Sequence, residues 1–490
     1  MNKTKAIVVI FSISLLLFDS LVEAAPPPQT AITAYSLVVD RSISPSGLIG
    51  RVVLPAGIAC PPLIATRMGR KITVESIPRH PGTSTHPAFS QVNVCEVRIP
   101  KGISSAQIGG KSVPHRIPVK VRRLGILGDT GCSIEPDPLA PGADVQNCND
   151  PKSWPLAQIS ESLAKNRPDV LLYLGDFQYR EGNCPESQKE WCGGTPSPVT
   201  GWVERNEGTF PFPDTAYIWL ADFILPAAPL LAQTPMVVVR GNHEECHRGG
   251  VGYYLFFHPE WQNGDACAPT GQTTPDITSP NYVVNLPISQ QRRLRLVVMD
   301  SAISPNRNDR APVPFLNTQK QDLYKDAFAK SQGSSETWLL THRPIFSILS
   351  SNSEYKERDT PWTSKEEQVA SYGFISQYNL ILSSHLHLAQ AVQVPGIPGQ
   401  LTIGNGGALL DTPTGYVIPP FGPLADSNNQ PINIGMTPYA PASHLWTSVS
   451  FGYSIAVPKA DRSGWTFSMR TPDGFQAASC ELTGQQIHCQ

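Results

Sequence analysis

Six short apolar runs stop abruptly, and five of them stop on side chains able to hold a metal. The runs are Leu124–Leu127, Val170–Leu174, Met236–Val239, Leu294–Met299, Trp338–Leu340 and Leu380–Leu382. Segments of helix length lie between them, near 154–166, 215–231, 317–330 and 364–375. Buried strands alternating with helices predict an α/β architecture. In such sheets, ligands bind in the crevice beyond the carboxyl ends of the strands. The chain delivers to that edge Gly128-Asp129-Thr130-Gly131, Gly175-Asp176-Phe177-Gln178-Tyr179, Arg240-Gly241-Asn242-His243-Glu244, Thr341-His342 and Ser383-Ser384-His385-Leu386-His387.

Taken singly, each residue has an ordinary reading. A strand-end Asp forms turns and caps helices, and a lone His is usually a satisfied core or surface group. Their succession on five strand ends is what points to chemistry. Carboxylate, amide oxygen and imidazole together suit borderline or hard cations. Asp129, Asp176, Asn242, His342, His385 and His387 exceed what one ion needs. The expectation is therefore two metals, with one carboxylate between ions about 3.5–4 Å apart, clamping a phosphoryl oxygen.

The flanks bear on where such a site works. Lys3 and Lys5, the apolar stretch Ala6–Phe18 and Val22-Glu23-Ala24 form a secretory signal pattern at 1–24, with cleavage expected after Ala24. The run is too short to span a bilayer, which takes ~20 residues. The mature chain is thus expected outside the cytoplasm, secreted or periplasmic, with no membrane span. Ten cysteines suit an oxidising compartment. Sequence-local pairing would join Cys60 to Cys95, Cys132 to Cys148, Cys184 to Cys192, Cys246 to Cys267 and Cys480 to Cys489, although spacing does not fix connectivity. A thiolate ligand at Cys132 or Cys246 is the alternative, disfavoured by export and by the harder ligands alongside. A net charge of -2 gives no long-range attraction to nucleic acid or an anionic membrane, so no nucleic-acid binding is expected. The expected partner is a small phosphorylated substrate.

Residues 25–120 read differently. Runs such as Tyr35–Val39 and Val92–Val97 alternate and are bounded by Gly and Pro, which predicts an all-β region lacking clustered ligands. It is either a small domain or an extension packed on the domain at 121–490. Two strands near 449–457 and 464–470 are expected to close that domain.

The five motifs, in this order across roughly 121–407, resemble the calcineurin-like metallophosphoesterase family. Met299-Asp300-Ser301 and Gly404-Asn405-Gly406-Gly407 look like further family features. The resemblance implies a four-layer αββα sandwich of two mixed sheets, here with an N-terminal all-β domain. Within the family the chain looks most similar to purple acid phosphatases. Many relatives carry His two residues after the first Asp, where this chain has Gly131. Purple acid phosphatases instead take a Tyr three residues after the second Asp, here Tyr179. The resemblance implies Asp129, Tyr179 and His387 on a first metal, Fe³⁺, and Asn242, His342 and His385 on a second, Fe²⁺, Zn²⁺ or Mn²⁺. Asp176 would bridge, Asn242 and His243 would meet the substrate phosphate, and a metal-bound hydroxide would attack phosphorus.

The chain also departs from that pattern. No His lies between His342 and His385, and Ser384 replaces the usual Gly. The leaving-group acid is therefore not evident. His247 is one candidate, while His258 and His444 have the features of unremarkable loop histidines. Three readings stand: a phosphate monoesterase, a phosphodiesterase or nucleotidase on the same metals, and a secreted binding protein with a relic site.

Overall fold

The computed structural model of the protein describes residues 31–79, 87–134, 145–180, 182, 184–192, 215–246, 248–259, 279–302, 314–334, 336–347, 364–411, 443–461 and 463–490. The signal pattern, His247 and Cys267 lie outside these residues, as do most of the loops at 181–210, 260–280 and 408–445.

The N-terminal region is all strand: β1 (Thr33–Val38), β2 (Leu48–Pro55), β3 (Leu63–Arg67), β4 (Arg70–Val74), β5 (Ile77–Arg79), β6 (Val92–Arg98), β7 (Ile103–Ile108) and β8 (Lys111–Ser112). Strands then alternate with helices: β9 (Leu124–Leu127), α1 (Leu156–Lys165), β10 (Val170–Tyr173), α2 (Ala216–Trp219), α3 (Ala228–Leu231), β11 (Met236–Val238) and α4 (Gly250–Phe256). The second half adds β12 (Tyr282–Pro287), β13 (Arg293–Val298), α5 (Pro314–Ser331), β14 (Thr337–Leu340), α6 (Ser364–Ser371), β15 (Leu380–Ser383), β16 (Ala389–Gln393) and β17 (Gly399–Ile403). The chain ends in β18 (His444–Ser448), β19 (Tyr453–Pro458), β20 (Gly464–Arg470), β21 (Gln476–Thr483) and β22 (Gln486–Cys489).

Two large sheets result. One has eleven strands in the order β22-β21-β20-β19-β9-β10-β11-β1-β2-β6-β5, the other seven in the order β12-β13-β14-β15-β17-β16-β18. Alternation along the central strands sorts side chains into layers. Val170, Leu172 and Val237 join Leu296, Trp338, Leu340, Leu382 and Leu401 between the sheets. Leu171, Tyr173, Met236 and Val238 face the other way, onto α1, α3 and α4. Val297, Leu339 and Ile381 pack the outer face of the second sheet against α5 and α6. Helix, sheet, sheet and helix stack in four layers, the metallophosphoesterase arrangement.

The N-terminal strands divide. β1 pairs parallel with β11, through Leu37 opposite Met236, and antiparallel with β2, so β2, β6 and β5 extend the large sheet. β3, β4, β7 and β8 form a separate four-stranded sheet. Two buried arginines stitch this region to α4. Arg51 donates to the carbonyls of Phe256 and His258 at 2.7 Å each, and Arg79 donates to Tyr254 at 2.8 Å. They satisfy the carbonyls that a helix end leaves open. Their shared counterion is Glu96, held below the usual range because Arg51 and Arg79 outweigh its burial.

Three expectations need correction. The helix foreseen over 215–231 is broken into α2, a π-turn at Leu220–Ile224 and α3, because Pro226 and Pro229 cannot continue the ladder. The strand foreseen at 449–457 forms as β19 but starts only at Tyr453, and an unforeseen strand, β18, precedes it in the other sheet. Two further strands, β21 and β22, follow β20, closed by Cys480–Cys489.

The disulfides Cys60–Cys95, Cys132–Cys148, Cys184–Cys192 and Cys480–Cys489 form as sequence-local pairs. Cys246 is disulfide-bonded too, so neither it nor Cys132 offers a thiolate to a metal. Such pairing fits an oxidising compartment. Among the described residues no helix is long and apolar enough to cross a membrane.

Candidate metal centre

Parallel strands β9, β10, β11, β14 and β15 end along one seam between the sheets. Asp129 (φ 54°), Asp176 (φ 56°) and His385 (φ 73°) adopt the left-handed backbone there. This conformation is uncommon for a residue with a Cβ and costs on the order of 1–3 kcal/mol. It turns each side chain back over the strand ends. Neighbouring amides hold the turns: Asp129 N–H donates to Gly175 O at 3.0 Å, and Thr130 N–H to Asp176 O at 3.1 Å.

Each carboxylate is fixed by one oxygen and offers the other. His385 N–H donates to Asp129 Oδ2 at 3.0 Å, and His243 N–H donates to Asp176 Oδ1 at 2.9 Å. The remaining oxygens, Asp129 Oδ1 and Asp176 Oδ2, both lie 2.8 Å from the Tyr179 hydroxyl, with His387 Nε2 at 2.9 Å from the same atom. One phenolic hydrogen cannot serve three acceptors.

The other side shows the same surplus. His342 Nδ1 donates to Leu174 O at 2.9 Å, which leaves Nε2 as the nitrogen turned toward the centre. That nitrogen faces Asn242 Oδ1 at 2.9 Å, Asp176 Oδ2 at 3.1 Å and His385 Nδ1 at 3.2 Å. His387 repeats the device, Nδ1 donating to Leu409 O at 2.7 Å and Nε2 turned inward. Lone pairs that converge in greater number than the hydrogens facing them are what a bound cation would satisfy, and mixed O and N donors suit first-row transition ions. Asp176, His342 and His385 form a candidate metal site, their ligand atoms all within 4.8 Å of one another. Asp176 Oδ2 touches both groups, where a bridging ligand would sit.

Electrostatics agree. Burial, and then Asp176, push the Asp129 carboxyl well above its ordinary range. Burial alone would raise Asp176 too, but His342 and His243 hold it well below. Burial and then Asp129 and Asp176 push the Tyr179 phenol well up. Burial, Arg343 and His342 hold His385 well below 6.5, so it stays neutral and able to ligate.

The supporting residues carry less obvious roles. Glu244 accepts from the amides of Asp176, Phe177 and Gly241 at 2.9, 2.8 and 2.8 Å, its carboxyl raised to about 8 by burial and then by Asp176. Asp300 pairs with Arg240 at 3.2 Å, and Ser301 Oγ accepts Arg343 N–H at 3.0 Å, which places the Met299-Asp300-Ser301 motif behind the seam. Ser384, where relatives have Gly, donates to Leu174 O at 2.7 Å and steadies His342. A Cβ on Gly131 would meet Tyr179 N at 2.5 Å, so a histidine cannot stand at 131 while the Tyr179 backbone runs there. A Cβ on Gly404 would meet Leu386 O at 2.0 Å and Asp129 Oδ2 at 2.8 Å, which explains that glycine.

His243 lies beside the centre, Nε2 3.8 Å from Asp176 Oδ2 and its ring against Tyr179. His258 and His444 do not join it. His258 is buried between Tyr253 and Tyr254, and His444 sits on β18 against His488. Arg248 and Arg343 do come near the ligands, against His243 and His385. No spacing signal in the sequence marks either arginine.

A sandwich of two sheets with a buried O/N donor cluster at its strand ends is the arrangement expected of a metallophosphoesterase. The chain belongs to the calcineurin-like phosphoesterase family, whose model matches residues 122–389. That family uses a dinuclear metal centre. Among solved structures, purple acid phosphatase PPD1 from yellow lupin (Lupinus luteus) seeds aligns with TM-score 0.52 at 13% identity, covering 93% of this chain and 75% of that one. PhoD aligns with TM-score 0.53 at 11% identity, covering 95% and 93%. At these identities the likeness is one of fold. No curated protein sequence matches the chain.

Proposed function

We propose that the protein is a binuclear-metal phosphatase that hydrolyses phosphate monoesters outside the cytoplasm. The observation that carries this reading is Asp176 Oδ2, 2.8 Å from the Tyr179 hydroxyl and 3.1 Å from His342 Nε2, with acceptors on both sides. Asp129, Tyr179 and His387 would hold one ion, Fe³⁺. Asn242, His342 and His385 would hold the other, Fe²⁺, Zn²⁺ or Mn²⁺, with Asp176 shared. Such a pair supplies Lewis acidity toward phosphoryl oxygens and acidifies water. His243, beside the shared carboxylate, would donate to a phosphoryl oxygen as its charge grows. Burial, and then Arg343 and His342, keep His385 neutral and able to ligate. The disulfides support an extracytoplasmic site of action.

Metal analysis and a visible spectrum of the purified protein, with turnover of nitrophenyl phosphate and its bis ester, test this together. The expected result is iron, a purple or pink colour lost in Tyr179→Phe, and faster cleavage of the monoester. Full iron occupancy without colour removes Tyr179 from the ligand set. Faster cleavage of the bis ester makes the protein a diesterase. Full metal content with no turnover of either ester leaves a relic site.

A further inference from the structure

One stretch of the chain carries charge against the overall balance. Residues 97–128 hold seven cations, Arg98, Lys101, Lys111, Arg116, Lys120, Arg122 and Arg123, and no Asp or Glu, in a protein whose net charge is -2. The stretch runs through β7 and β8 into β9. Its middle part forms one wall of a cleft of about 450 Å³. Residues 167–169 and 232–235, which lead into β10 and β11, form the other wall. The cleft therefore lies at the edge opposite Asp176 and Asn242, where the N-terminal region joins the sandwich. Junctions between parts of a chain are common ligand sites, and the volume falls in their ordinary range of about 300–1,000 Å³.

The cleft is firmly built. Thr234 Oγ1 donates to Pro168 O at 3.3 Å, and Asp169 N–H donates to Arg123 O at 2.9 Å. Pro114, Pro118, Pro168 and Pro235, each with its fixed φ, line it. Arg116 and Arg167 line it as well, both exposed, and neither side chain makes an ion pair or a hydrogen bond among the described residues. His115 is next to Arg116 on the same wall, and its Nε2 is buried without a hydrogen-bond partner. The carboxylate among the lining residues, Asp169, is already engaged. Its Oδ2 accepts Arg122 N–H at 2.6 Å and Arg123 N–H at 3.0 Å. Arg167 adds a further observation. Its φ of 49° is left-handed, just past the end of α1, where glycine is the common choice. A helix end draws a cation, which offsets part of the strain. Glycine would adopt that backbone without strain, so the chain keeps a guanidinium here at a cost.

We propose that this cleft binds a sugar-sized anion bearing a phosphate or sulfate group, at a site separate from the metal centre. It uses none of the residues gathered at the seam, so it stands apart from the phosphatase reading. Two guanidinium forks without acceptors, in a concavity that focuses their field, match the oxygens of such a group. An oxygen of the same group would give His115 the partner its Nε2 lacks. The rest of the lining indicates the body of the ligand. Gln107 and Gln233 offer amides to hydroxyls, while the prolines offer apolar faces to ring carbons. A purely apolar body would leave those amides unused, and a bare inorganic anion would leave most of the cleft without contacts.

The test is a calorimetric titration of the metal-replete protein with glucose 6-sulfate, with the non-hydrolysable phosphonate analogue of glucose 6-phosphate, and with glucose. At least one of the two anions should bind and glucose should not, the tighter anion identifying the group recognised. Arg116→Ala and Arg167→Gly should each weaken that binding about ten-fold. Turnover of nitrophenyl phosphate should stay at the wild-type rate in both. Arg167→Gly relieves the left-handed strain, so it keeps the test decisive if Arg116→Ala fails to fold. An affinity unchanged in both variants overturns the proposal, because the anion is then held elsewhere, as at the metals. Failure of both anions to bind at about 10 mM overturns it as well, and so does glucose binding as tightly as they do. If the wild type cleaves no ester, the phosphatase reading fails, and the titration still decides the role of the cleft.

Discussion

The two sheets contribute to the proposed metal centre in chemically opposite ways. The eleven-stranded sheet supplies only oxygen donors: Asp129 after β9, Asp176 and Tyr179 after β10, Asn242 after β11. The seven-stranded sheet supplies only nitrogen donors: His342 after β14, then His385 and His387 between β15 and β16. In the oxygen half burial, and then the neighbouring Asp176, push the Asp129 carboxyl up. In the nitrogen half burial, and then Arg343 and His342, hold His385 neutral. Neither half is comfortable alone, because like partners face each other within each. A cation shared across the seam relieves both. The centre is thus a fastening between sheets as much as a site on either.

The largest test of this contrast removes charge from the shared oxygen. Asp176→Asn should lower both metal occupancy and turnover, the latter on the order of 10³-fold. His387→Ala, which removes one imidazole at the more exposed rim, should cost roughly ten-fold to a hundred-fold. Equal losses in the two variants, measured by metal analysis and ester hydrolysis, would break the asymmetry between the halves.

A second test reads the fastening as stability. Metal removal by a chelator should lower the unfolding free energy by about 4 kcal/mol relative to protein held at a thousand times the dissociation constant. Urea titrations with and without chelator measure it. Coincident curves would mean that the seam closes without ions.

The smallest effect supplies the background against which the centre is judged. His258 is buried away from the metal ligands, and burial followed by Arg79, Arg240 and Arg51 holds its pKa well below 6.5. The unfolded chain takes up a proton near pH 6.5 that the folded chain refuses. Stability should therefore fall as pH drops below about 6.5, by up to about 1.4 kcal/mol per pH unit from this residue. His258→Gln should flatten that slope in chemical unfolding measured from pH 7 to 5, and an unaltered slope would remove His258 as its source.

The sequence made one kind of information plain and hid another. Strand ends are local: a buried run followed by Gly-Asp or Gly-Asn-His places the side chain and its edge at once, so the gathering of Asp129, Asp176, Asn242, His342, His385 and His387 along one seam could be foreseen. Tyr179 was legible only through resemblance, but Gly131 makes physical sense beside it, since the Tyr179 backbone fills the space a side chain at 131 would need. Arg248 and Arg343 were illegible, because a single arginine in a turn looks like any solvated charge until the fold sets it against a ligand. The pairing of β1 with β11 was illegible for another reason: alternation shows that a segment is a strand and says nothing about which distant strand it joins. β18 was missed because His444–Ser448 is a short run next to a stretch rich in Pro, Gly and Asn, and only its pairing with β16 in the other sheet makes it a strand.

The placement of β1 inside the large sheet has a consequence for how the molecule is assembled. Leu37, near the start of the chain, waits for Met236, which leaves any ribosome or membrane pore much later. Until then the edge of β11 does not exist, and the N-terminal strands have only their local hairpin partners. Such long-range parallel pairing is slow to form. A chain built this way would complete its catalytic sheet only after most of its length has been delivered, so its first segment is also among the last to be locked in place.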